Sequence, residues 1–341
     1  MTATHNELLT TLLQQVSRSF YLTLRVLPAG IRRPIGLAYL LARATDTIAD
    51  TGLLPLEERL AALRRFQDRI RGATQDPLEF SGFLQHQGSA AERRLLENAE
   101  TAIGLLADLD RTDRQRVSEV LAVITSGQEL DLRRFDGAAA DRLIALQTMP
   151  DLDDYTYRVA GCVGEFWTRM CRTHLFPTRA MDEAWLLDQG IRFGKGLQLV
   201  NILRDLPADL RQGRCYIPLS LLEPAGLQPT QLLDPANEPK FRPVYRQLLD
   251  LSEAHLCAGW AYTKALPRSQ VRLRLACAWP ILIGLETLGK LRAANVLDAS
   301  QPVKISRPAV RRLVLRSLLV YPSRARWENL PSALLTPRTT N

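Results

Sequence analysis

Two stretches of this chain set acidic residues one helical turn apart inside sequence that is otherwise apolar, and few folds can accommodate carboxylates placed so. The later stretch, QLVNILRDLPADLRQGRCYIP over Gln198–Pro218, carries Asn201, Asp205 and Asp209 at spacings of four and four. On a helix these three side chains project from one face. Like charges at i and i+4 cost an isolated helix roughly 0.2–0.5 kcal/mol, so the repeat makes sense where a cation meets it. Carboxylate and amide oxygens are hard ligands suited to Mg²⁺, with Mn²⁺ as a substitute. Arg204, Arg211 and Arg214 follow in the same stretch, and guanidinium forks match phosphate oxygens. The earlier stretch, AYLLARATDTIADT, places Asp46 and Asp50 at the same spacing, with Arg43 one turn before Asp46 and Ala38, Leu40, Leu41, Ala42 and Ile48 around them. About 160 residues separate the two acidic faces. Meeting across a cavity, they would hold several metal ions, a constellation suited to ionising a diphosphate. A solvated helix face is the plainer reading of either pair taken alone.

Apolar residues recur at three and four through most segments, β-branched runs are short, and Leu and Ala dominate. This pattern predicts an all-α fold. With 46% hydrophobic residues in 341, a single helical domain is expected over 1–320, followed by a flexible basic tail over 321–341. Helices are expected over Ile31–Ala49, from Leu56 with Pro55 at its first position, and over Ser89–Leu109. Others are expected over Thr112–Phe135, opened by a Thr112/Gln115 capping box, and over Asp151–Cys171, Met181–Asp209, Pro243–Leu266 and Arg268–Val296. Pro207 predicts a kink or break. Ala160, Gly161 and Gly164 allow either close helix approach or room for a ligand. Asp131 either faces the cavity or pairs with Arg134.

The net charge of +8 is concentrated late: from Gln301 onward eight basic residues face Glu328 alone. Such a segment suits an anionic membrane surface or a phosphorylated cofactor. No aromatic-and-basic interleaving supports nucleic-acid binding. Five scattered cysteines without a CxxC argue against structural zinc and disulfides, and fit a reducing compartment. The four histidines are isolated. No signal peptide is recognised and no stretch reaches the apolar length of a membrane span. The expected location is cytoplasmic, with peripheral contact at the inner face of the membrane.

Four motifs in order, SRSF (Ser17–Phe20), YLLARATDTIAD (Tyr39–Asp50), YTYRVAGCVG (Tyr155–Gly164) and QLVNILRDLPAD (Gln198–Asp209), resemble the squalene/phytoene synthase family over roughly Ser17–Arg316. CAWPILIGLETL (Cys277–Leu288) and VKISR (Val303–Arg307) are most like its squalene synthase branch. The resemblance implies an isoprenoid synthase bundle with a central apolar cavity, and head-to-head condensation of two farnesyl diphosphates through presqualene diphosphate, followed by NADPH reduction to squalene. It implies metal ligation by Asp46, Asp50, Asn201, Asp205 and Asp209, and diphosphate binding by Ser17, Arg18, Tyr39, Arg43, Gln198, Asn201 and Arg204. Tyr155 would join the aspartates as a catalytic residue, and Lys304 and Arg307 would contact NADPH. Phytoene or dehydrosqualene synthesis, which needs no reductant, is the alternative enzyme. A non-catalytic helical assembly factor is the alternative from another class. Two departures stand out: where relatives often carry glutamate before the last aspartate of each motif, this chain has Ala49 and Ala208. The hydrophobic anchor of eukaryotic squalene synthases has no counterpart in the sequence.

Overall fold

The computed structural model describes residues 8–17, 21–87, 89–177 and 180–335. These are helical almost throughout, as the periodicity predicts. Strands among them are confined to a two-residue parallel pair, β1 (Ile144–Ala145) and β2 (Arg214–Cys215). The longer helices are α1 (Ala29–Ala49), α2 (Leu56–Arg71), α3 (Arg111–Arg134), α4 (Cys162–Leu175), α5 (Glu183–Arg211), α6 (Glu238–Ala265), α7 (Val271–Ala293) and α8 (Arg307–Val320). The chain divides into two compact units, Met1–Asp136 with Glu165–Ala180, and Gly137–Gly164 with Met181–Asn341. Each contains one of the two acidic stretches. No helix of the described residues is long and apolar enough to cross a membrane.

In the first unit α1 is the buried element. Leu37, Leu40, Leu41 and Ile48 are inaccessible to solvent, each burial being worth about 1.5–3 kcal/mol. Its start follows Pro28, whose fixed φ of −54° suits an N-cap. Pro55 likewise caps α2 from just outside rather than occupying its first position. The cap of α3 also differs from the expected Thr112/Gln115 box: Asp110 accepts the Asp113 amide at 2.9 Å, and an aspartate there also meets the helix dipole. Gln67 joins α2 to α3, donating to Thr125 Oγ1 at 2.7 Å and to the Leu121 carbonyl at 2.9 Å. The stretch expected as one helix over Ser89–Leu109 is Ala90–Glu97, Ala99–Gly104 and a 3₁₀ turn Leu105–Asp108. Asn98 sits at the break, its side-chain amide donating to the Arg94 carbonyl at 2.7 Å, which diverts an acceptor near the helix end.

The second unit is built on α5 and α6. Pro207 lies inside α5, yet the helix runs on to Arg211. A proline leaves the carbonyl four residues back without its amide; here that carbonyl, Leu203, accepts the buried Tyr245 hydroxyl from α6 at 2.9 Å. The lost bond is replaced from across the helix pair, so no break follows. Small residues bring the start of α4 and the turn before it against α5. A Cβ at Gly164 would stand 1.8 Å from the Gly190 carbonyl oxygen and one at Gly194 2.1 Å from that of Ala160, so the Ala160–Gly164 stretch is packed tightly against α5.

His255 on α6 is held in the same helix pair, with Nδ1 buried and without a hydrogen-bond partner. Burial first, then the charges of Arg192 and Lys195, push it down to about 4, against Asp153 and Asp188. The unfolded chain takes up that proton near 6.5 and the folded chain only near 4, so stability is full above 6.5 and falls as pH drops toward 4. Urea midpoints are expected to fall between pH 7.5 and pH 5, with His255→Gln removing most of that slope.

Residues 321–335 differ from the flexible tail expected of them. Arg324–Glu328 is helical and Trp327 is 2% exposed, stacked on Trp260 at 4.7 Å between ring centroids. The Arg274 guanidinium lies 4.4 Å from the Trp327 ring centroid, and Trp260 Nε1 donates to the Glu328 carbonyl at 2.9 Å. One tryptophan in a charged segment, too short a signal for periodicity, anchors it.

Candidate active site

In the first unit, Tyr39, Arg43, Asp46 and Asp50 follow one another at helical spacing along α1. Arg43 is fixed from outside its helix, donating to Glu92 at 2.5 Å, and lies 3.7 Å from Asp46. Gln128 of α3 donates to Asp46 Oδ1 at 2.5 Å. Burial first, then the Asp50 carboxylate, push the Asp46 carboxyl up to about 6, while Arg43 and Gln128 pull it down. A carboxyl raised by a neighbouring carboxylate, the pair presenting oxygen donors only, fits a hard divalent cation. Asp50 also lines a cavity of about 400 Å³ with Thr47, Thr51, His86 and Glu92. Ser17 is buried, its hydroxyl donating to the Leu13 carbonyl. Arg18 lies outside the described residues.

Gln128 escaped the sequence reading because nothing local marks it: it acts across 82 positions of chain. Gln128→Leu is expected to raise the Asp46 carboxyl further and to move the acidic limb of the pH–rate profile up by about one unit. An unmoved limb would deny Gln128 that role.

In the second unit, Gln198, Asn201, Arg204, Asp205 and Asp209 lie along α5. Asn201 is exposed and donates to Gln198 at 3.4 Å. Arg204 grips Asp205 with both arms of its fork, Nε to Oδ1 at 2.8 Å and Nη2 to Oδ2 at 2.5 Å. That hydrogen bonding raises the Arg204 guanidinium further above its ordinary value, against burial, so it is cationic at any working pH. Arg204 and Asp205 line a cavity of about 240 Å³ that also takes in Ala208, Arg211, Asp298, Val303 and Lys304. Lys304 is therefore brought to the second acidic stretch; Arg307, exposed at the start of α8, is not among the lining residues. Ala208 opens onto this cavity, whereas Ala49 is buried.

Tyr155 is buried and stacked on Tyr216, ring centroids 4.9 Å apart, with its hydroxyl 3.4 Å from that of Tyr216. Tyr216 arrives there through a turn only glycine tolerates. Gly213 has φ +80°, and a Cβ would stand 2.3 Å from the Ala139 amide nitrogen. β2 then pairs with β1 and carries the chain to Tyr216.

A group of three metal-type donors among the described residues is Asp110, Asp113 and His174. It includes none of the motif residues and is accounted for locally. Asp110 caps α3, and buried Asp113 bonds His174 Nε2 at 2.8 Å, tying α3 to the end of α4.

A family model for squalene/phytoene synthase matches residues 13–309. The chain belongs to the squalene/phytoene synthase family. Among curated members it is 27% identical over 305 residues to a presqualene diphosphate synthase of Rhodopseudomonas palustris, covering 89% of this chain and 93% of that protein. It is 24% identical over 310 residues to the squalene synthase of Schizosaccharomyces pombe, covering 90% of this chain and 64% of the other. A 15-cis-phytoene synthase of Synechocystis matches at 27% over 275 residues, covering 80% and 70%. The chain spans only 38% of a bifunctional lycopene cyclase/phytoene synthase of Phaeosphaeria nodorum and 46% of a squalene synthase of Gibberella zeae. Solved structures agree on the fold. A complex of TcSQS with the ligand BPH1237 superposes with TM-score 0.77 at 22% identity, covering 97% of this chain and 92% of that one. A dehydrosqualene synthase in complex with a ligand gives 0.64 at 19%, covering 94% and 98%. Family members of this kind are isoprenoid synthases of the prenyltransferase type.

Proposed function

We propose that this chain is a squalene synthase, joining two farnesyl diphosphates head to head through presqualene diphosphate and reducing that intermediate to squalene. The observation that carries the first half is the repeated pairing of an arginine with an acidic helix face, Arg43 with Asp46 and Arg204 with Asp205. Asp46, Asp50, Asn201, Asp205 and Asp209 would hold Mg²⁺, or Mn²⁺ in its place, whose charge offsets that growing on a departing diphosphate. Arg43 and Arg204, with Tyr39 and Gln198, would bind and orient the diphosphate oxygens. Asp205 has both oxygens committed to Arg204, so loading this site would have Arg204 exchange its carboxylate for phosphate. Tyr155, backed by Tyr216, is assigned the proton lost as the cyclopropane closes. Apolar helix walls would keep water from the allylic cation.

The reductive half rests on Lys304 lying in the cavity of Arg204 and Arg211, where basic groups suit the phosphate of NADPH; NADPH would supply the hydride. The cavity's size fits a phosphate-bearing end rather than a whole dinucleotide. Phytoene or dehydrosqualene synthesis is the competing reading, since a 15-cis-phytoene synthase matches as well as a squalene synthase does. Incubation with farnesyl diphosphate and Mg²⁺ decides between them. Squalene formed only with NADPH, and presqualene diphosphate without it, supports the proposal. Dehydrosqualene regardless of NADPH, or product only from geranylgeranyl diphosphate, would replace it.

A further inference from the structure

The last long helix, α8, is amphipathic in an unusual sense: its exposed face is partly apolar. Leu315, Leu318 and Leu319 are 57%, 45% and 71% exposed, three large apolar side chains within five residues. The opposite face is packed. Ala309 and Ser317 are buried, and the Ser317 hydroxyl accepts the Trp279 indole N–H from α7 at 3.0 Å. At 100° per residue, Arg311, Arg312 and Arg316 fall among and beside the three leucines on the outward face, and all three are exposed. The only acid from Gln301 onward, Glu328, is already bonded to Arg324 at 2.8 Å. The surface is therefore a small group of leucines collared by arginines that no acid of their own segment offsets.

We propose that this face of α8 docks the protein on an anionic lipid bilayer, leucines entering the acyl boundary and arginines meeting lipid phosphates. The occupant follows from charge and shape. A second copy seated on the same patch would set Arg311, Arg312 and Arg316 against themselves. Protruding leucines on a single convex helix suit a yielding lipid interface, and basic side chains add about 1 kcal/mol each near an anionic leaflet. The proposal stands apart from the reaction: vesicle binding needs no turnover, so either reading can fail alone.

The test is co-sedimentation of the full chain with phosphatidylcholine vesicles, with and without phosphatidylglycerol. Binding is expected only with phosphatidylglycerol and should weaken in high salt. Leu315→Ser/Leu318→Ser/Leu319→Ser and Arg311→Glu/Arg312→Glu/Arg316→Glu should each lower the partition coefficient about tenfold or more. All six side chains point outward, so unchanged far-ultraviolet circular dichroism is expected of both variants. No binding to anionic vesicles, or binding that both variants retain, would overturn the proposal. So would dimerisation in solution that the leucine variant abolishes, which would give the face to a second copy.

Discussion

Asp205→Asn is expected to lower diphosphate release from farnesyl diphosphate by about a hundredfold to a thousandfold. Asparagine keeps the shape of the side chain and one oxygen for Arg204, so α5 should fold unchanged, but the charge that would hold a divalent ion is gone. Arg204 now binds Asp205 through both arms of its fork; the variant loosens that grip without supplying a cation in its place. Asp250→Asn is the matched control. Asp250 is a largely exposed carboxylate of the same unit, paired with Arg292 at 2.6 Å, and its loss should leave the rate within about twofold, as surface ion pairs contribute little. Steady-state and single-turnover assays of both variants give the comparison. Near-normal turnover in Asp205→Asn would remove the metal assignment on α5.

The second large effect concerns stability. Trp327→Ala should cost about 3–5 kcal/mol in denaturant unfolding of the second unit, because it removes a buried ring stacked on Trp260 and covered by Arg274. Trp327→Phe keeps an aromatic stack and should cost less than half of that. A loss under about 1 kcal/mol in the alanine variant would mean that the segment after α8 adds little to the fold.

How far the sequence could be read depended on whether a feature was local. Helical character and the helices that carry the two acidic faces come from spacing within a few turns and are where the periodicity places them, whereas the helix expected over Ser89–Leu109 is broken at Asn98. Caps were less legible: Thr112 with Gln115 has the spacing of a capping box, yet Asp110, two residues earlier, takes the amide. Pro207 reads as a break because the compensating donor, Tyr245, lies 42 positions away. Gln128 and Tyr216 were missed for the same reason. Neither carries a local pattern, and each matters only through a partner on another element, Asp46 and Tyr155. Lys304 and Arg307 were read together from one basic segment, but the turn into α8 brings only Lys304 to the cavity of Arg204.

In the proposed reaction both acidic helix faces serve one metal-dependent ionisation. Its most direct measurement follows diphosphate release from labelled farnesyl diphosphate without reductant, comparing the native chain with Asp46→Asn and Asp205→Asn across an Mg²⁺ titration. Release that requires Mg²⁺ and collapses in both variants is the predicted result. Release without divalent metal, or undiminished in either variant, would contradict it.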